Sequence, residues 1–215
     1  MIHKVLSVLL PLTLLTLSGA AAATEAQARL QRFVADVQTL SAQFEQVQYD
    51  EQGRENARRA GSFDLARPGR FKWHYQTPYE QLMLSDGQKI WNYEPDLAQV
   101  TVRDAAQILR DTPAALLAQG GDIEKTFSVT DAGVDGDAQK LRLEPKAADA
   151  DIRLIELWLQ ANGTPLRMRL HDPLGGTSDI RFSAVNRNAK IASSVFQFTP
   201  PKGVEVVDFD AALPQ

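Results

Sequence analysis

Arg67, followed by Pro68-Gly69 and then by Phe71, Trp73 and Tyr75 at every second position, is the grouping whose residue types and spacing fit a chemical task. Side chains alternate along a strand, so the three rings share one face, and Lys72, His74 and Gln76 take the other. Pro68 drives Arg67 out of the helical region and Gly69 completes a tight turn, which leaves the guanidinium at the edge of the aromatic face. A solvated turn arginine is the ordinary fate of such a residue. Its fixed fork of N–H donors also suits it to hold the orphan carbonyls at the end of a short helix that lids the space beside the rings. Phe63, Phe71, Trp73, Tyr75, Trp91 and Tyr93 either fill a core or line a cavity for an apolar ligand. Core is the usual outcome, but their crowding into neighbouring strands, with Leu82, Met83 and Leu84 adding adaptable apolar surface, weakens it and fits a cavity for acyl chains at least as well. Its candidate lining is Phe63, Phe71, Trp73, Tyr75, Leu82, Leu84, Trp91 and Tyr93.

Covalent chemistry finds little support. Beyond the first few residues the only histidines are His74 and His171, both on presumed polar strand faces, and no G-x-S-x-G, H-E-x-x-H or Walker A sequence occurs. Asp131, Asp135, Asp137, Asp149 and Asp151 cluster in Gly- and Ala-rich turns but lack the glutamate that completes a calcium loop, so solvated turn aspartates are expected. Asn162-Gly163-Thr164 formally matches a glycosylation acceptor and is better explained as a hairpin turn. No catalytic residue, metal or cofactor is expected, and the chain is read as no enzyme.

The chain has 215 residues, a formal net charge of −4 and no cysteine, which excludes disulfides, thiolate metal sites and an acylated cysteine of its own. Lys4, an apolar run and then small residues up to Ala23 make residues 1–23 a cleavable export signal, too short to span a membrane. Removing it with Lys4 leaves −5 on residues 24–215, and no basic stripe interleaved with aromatics appears, so nucleic acid is not an expected partner. No linker or repeat divides residues 24–215, which are read as one domain.

These side chains need elements to position them. Leu30, Phe33, Val34, Val37 and Leu40 fall at helical spacing and predict an amphipathic helix from residue 24 to about 40. Strands are expected at 42–49, 60–65, 70–76, 81–84, 89–93 and 99–102, with an Asp86-Gly87 hairpin signal, then at 125–130, 139–144, 152–160, 166–171 and 179–185. Between the two groups, Thr112 as N-cap, Pro113 and Gly120-Gly121 predict two short helices within 104–119. The fold class expected is mainly β with an α lid: an incomplete antiparallel β-barrel, or half-barrel, whose concave apolar face is covered by short amphipathic helices. Ile108, Leu109, Leu116 and Leu117 are the candidate lid residues beside Arg67.

The Arg67-Pro68…Phe71…Trp73 segment resembles the R-P-x-x-F-x-W signature of the outer-membrane lipoprotein carrier protein (LolA) family. The resemblance extends to Leu84-Ser85-Asp86-Gly87 with Ile90-Trp91, Tyr93 and Pro95, to Thr112-Pro113, to Pro145-Lys146-Ala147, and to Phe198-Thr199-Pro200-Pro201-Lys202-Gly203-Val204. It implies a periplasmic chaperone that takes triacylated lipoproteins from an inner-membrane ABC transporter of the LolCDE type and delivers them to an outer-membrane acceptor lipoprotein of the LolB type. By the same resemblance Arg67 contacts the lid, and Phe71 and Trp73 lie at the cavity mouth. The physics suits the task, since desolvating one roughly sixteen-carbon chain is worth about 12 kcal/mol at ~0.8 kcal/mol per CH₂. The protein is expected to be a monomer. A periplasmic lipid- or peptide-sensing module of the same half-barrel shape is the alternative reading.

Overall fold

The computed structural model describes residues 25–105, 117–118, 123–148 and 150–209. They form a helix, α1 (Glu25–Asp36), three short 3-10 turns, two short helical pieces at Ala105 and Leu117–Ala118, and twelve strands: β1 (Thr39–Tyr49), β2 (Glu55–Ala66), β3 (Arg70–Thr77), β4 (Gln81–Asp86), β5 (Lys89–Glu94), β6 (Gln99–Asp104), β7 (Phe127–Asp135), β8 (Ala138–Pro145), β9 (Leu154–Leu159), β10 (Pro165–His171), β11 (Thr177–Arg187) and β12 (Glu205–Asp208). All lie in one sheet of order β12-β6-β5-β4-β3-β2-β1-β11-β10-β9-β8-β7, antiparallel except for the β12–β6 pair. The sheet does not close on itself, so the half-barrel expectation holds. No helix among the described residues is long and apolar enough to cross a membrane.

The eleven strands expected from alternation are present, several longer than their patterns indicated. Two boundaries differ for physical reasons. The predicted first helix stops at Asp36, and Leu40 belongs to β1, because Asn188 Oδ1 accepts the N–H groups of Gln38 and Thr39 and pulls the chain into the β1–β11 ladder. β12 went unpredicted because four residues without alternation form a strand only by adding, in parallel, to the edge of β6. Of the two helices predicted between β6 and β7, Ala105, Leu117 and Ala118 are helical and buried. Ile108, Leu109 and Leu116 lie outside the described residues.

The main core cluster lies on one side of the sheet. Ala26, Leu30 and Phe33 of α1 pack into a single cluster with inward residues from β1, β2, β3, β5 and β8–β11. The opposite face is charged over β8–β11. There Asp179 is clasped by Arg167 and Arg169, and Glu156 by Lys140 and His171. Burial pushes both carboxyls upward, but these hydrogen bonds outweigh it and hold each below the usual carboxylate range.

Candidate functional site

Strand pairing builds the inner aromatic face in rows. Leu65 pairs Phe71, Phe63 pairs Trp73 and Gly61 pairs Tyr75 across β2–β3, while β1 supplies Leu40, Ala42 and Phe44 opposite the same β2 residues. Ring centroids are 4.6 Å apart for Phe44–Trp73, 4.8 Å for Phe63–Trp73 and 5.3 Å for Phe44–Tyr75, the spacing of packed aromatic pairs. Gly61 is what brings Tyr75 close: a Cβ there would stand 1.9 Å from the His74 carbonyl oxygen, at a slip in the β2–β3 register. Phe71 is 0% exposed and Trp73 3%, so the two expected mouth residues are fully buried, and in this form the protein's own rings fill the inner face.

The predicted lining divides by strand parity. Phe63, Phe71, Trp73 and Tyr75 face inward together. Leu82, Leu84, Trp91 and Tyr93 do not join them, because Leu82 pairs His74 and Leu84 pairs Lys72, and these carry Tyr93 and Trp91 onto the outer face with them. There they are covered by the segment after β11: the Phe198 ring packs at a tilt against Trp91 at 6.4 Å and Tyr93 at 5.7 Å, and buried Phe196 lies under Arg70. Met83 and Ile90 take the inward positions on β4 and β5. Ring content alone hid this division, because nothing before β12 announces that the outer face of β4–β6 is roofed.

Arg67 is buried, at 8% exposure, rather than solvated in a surface turn. Its Nε donates to the Val37 carbonyl at 2.8 Å and its Nη2 to the Phe33 carbonyl at 3.4 Å, and the guanidinium lies 4.8 Å from the Phe33 ring centroid. It thus holds carbonyls at and just past the C-terminal end of α1, where the sequence pointed instead to a short lid helix. Burial lowers its pKa to about 10, which leaves it charged throughout the neutral range. Gly69 N–H donates to the Ala118 carbonyl at 3.2 Å, so the same turn also holds the short helical piece carrying buried Leu117.

Two buried donors, Arg67 Nη1 and Trp73 Nε1, have no hydrogen-bond partner among the described residues. The Tyr75 hydroxyl is close enough to the indole N–H to interact with it but lies outside hydrogen-bond geometry. A cleft of about 560 Å³ opens beside α1, lined by Gln27, Leu30, Gln31, Val34, Ala35, Ile123 and Glu124. Sequence reasoning missed it, since only α1 packed against residues 123–124 creates it. His74 and His171 contact Glu80 and Glu156 on the outer side of the sheet, and Asp131 and Asp135, expected in turns, lie in β7 because it pairs with β8 as far as Asp135, and accept hydrogen bonds from Gly133, Gln139 and Trp158.

The family model "Outer membrane lipoprotein carrier protein LolA" matches residues 35–199. Proteins named outer-membrane lipoprotein carrier protein are similar over most of the chain. The one from Bordetella avium is 39% identical over 208 residues, covering 96% of this chain and 99% of its own. The one from Chromobacterium violaceum is 40% identical over 192 residues, covering 89% and 92%. In fold, the chain resembles the crystal structure of an uncharacterized conserved protein from Thermus thermophilus, with a TM-score of 0.56 at 15% identity over 86% of this chain and 97% of that one.

Proposed function

The chain belongs to the outer membrane lipoprotein carrier protein LolA family, and from that premise we propose that it carries lipoproteins by sheltering their acyl chains against the inner face of the half-barrel. The observation that carries this reading is the Arg67 latch. A single buried guanidinium joins the ring-bearing strand pair to the carbonyl end of α1, and α1 fills the inner face with Phe33. Cargo gains by replacing Phe33 and its neighbours on the rings, and a latch of a few polar contacts costs little to reopen. The protein works in the periplasm after removal of residues 1–23, and residues 24–215 act as one carrier domain and as a monomer. As a carrier it performs no catalysis. Its donor is an inner-membrane ABC transporter and its acceptor an outer-membrane lipoprotein. Support for passive relay comes from the absence of any Walker A sequence in the chain.

Two measurements test the reading. The mature protein takes up an environment-sensitive acyl probe, which triacylated lipoprotein displaces. Labelled lipoprotein then moves from carrier to acceptor in nucleotide-free buffer. Failure of uptake removes the carrier function, and transfer that requires ATP removes the passive relay.

A further inference from the structure

Below the rings, the inner face changes character along a continuous line. On β1 the inward residues run Leu40, Ala42, Phe44 and then Gln46. On β2 they run Leu65, Phe63, Gly61 and then Arg59, and β3 ends its series on Tyr75. The polar residues join across the sheet. Gln46 Nε2 donates to Ser178 Oγ of β11 at 2.5 Å, and the Tyr75 hydroxyl donates to Gln46 Oε1 at 2.9 Å. Arg59 lies 5.3 Å from the Tyr75 ring centroid and donates from Nη1 to Gln81 Oε1 at 3.4 Å, and Gln81 Nε2 donates to Asn92 Oδ1 at 3.0 Å. Six side chains from β11, β1, β3, β2, β4 and β5 thus form one belt, and Gln46 at its centre is 5% exposed. Burial raises the Tyr75 pKa against the nearby Arg59 charge, in keeping with a dry setting. Beyond β11 the belt stops, and Met168, Leu157 and Leu141 continue the apolar face in its place.

We propose that this belt is a depth stop: in the β1–β5 half of the inner face it ends the space an acyl chain can occupy and so sets the chain length this carrier binds best. The inference rests on the carrier reading and names a specificity device within that site. A methylene driven past Tyr75 would separate hydrogen-bonded groups in a buried setting, and each unsatisfied group costs more than a CH₂ gains. From Phe71 to Tyr75 the strand offers only about 13 Å of apolar length at ~3.3 Å per residue.

The test uses fluorescent fatty-acid probes of increasing length on the mature protein. In the parent, affinity climbs by about four-fold per methylene, the factor given by ~0.8 kcal/mol per CH₂, and then levels off. In Gln46→Leu/Tyr75→Phe the levelling moves to longer chains. Gln81→Leu/Asn92→Leu, at the half-buried end of the belt, shifts it the same way should the first variant fail to fold. Levelling at one chain length in the parent and every folded variant, or no levelling in the parent, overturns the depth stop while leaving the carrier function intact. No binding at any length by the parent overturns the carrier reading and the depth stop with it.

Discussion

Arg67 is balanced by carbonyl dipoles and the Phe33 ring, with no carboxylate beside it among the described residues. Burying its charge costs desolvation, so its value to global stability is small, while its value to the position of α1 is large. Arg67→Leu is therefore expected to move the urea midpoint little but to expose the amides of α1 to exchange about ten- to hundredfold faster, the factor for losing a charged hydrogen bond of ~1.5–3 kcal/mol. Hydrogen exchange followed residue by residue measures both quantities. Unchanged protection in α1 would remove the latch. Handover of lipoprotein by the same variant is expected to fail or slow if α1, held by Arg67, closes the inner face when cargo leaves.

At the scale of elements, α1 is held from both ends. Arg29 donates to the carbonyls of Asp137 and Leu159 at 3.0 and 3.1 Å, Arg32 to that of Ala161, and Arg67 grips the C-terminal end. The β9–β10 turn makes this possible through Gly163, whose φ is +82° and whose Cβ, were one present, would lie 2.5 Å from the Phe33 backbone nitrogen. Gly163→Ala is expected to cost about 1–3 kcal/mol for the left-handed backbone alone, and the clash should also push α1 outward. Urea unfolding together with acyl-probe binding checks this. The helix displacement predicts faster probe uptake in the destabilised variant, and slower or equal uptake would mean that α1 does not gate entry.

Over the whole molecule, the two faces divide the labour. Trp73 sits among the inward rings, whereas Trp91 lies under Phe198 and Trp158 between Lys140 and Arg167 on the outer face. Loading should therefore repack one face and leave the other undisturbed. The three tryptophans offer a direct reading: a variant keeping only Trp73 is expected to shift its emission when an acyl ligand binds, and a variant keeping only Trp91 is not. Equal shifts in both would mean that the sheet deforms as a whole.

The mainly β class and the alternation of nearly every strand were legible in the sequence, because each depends on local spacing. The family signature was equally legible, since Arg67, Pro68, Phe71 and Trp73 lie within one turn and strand. Which rings share a face was decided only by the tertiary structure. A ring at Trp91 and one at Trp73 look alike in sequence, and pairing through β4 sets them on opposite sides. The same holds for α1 as the partner of Arg67, for β12 and for the belt through Gln46 and Tyr75, because each joins residues far apart in the chain. Local pattern tells which side of its own strand a residue takes, and long-range pairing determines what waits on that side.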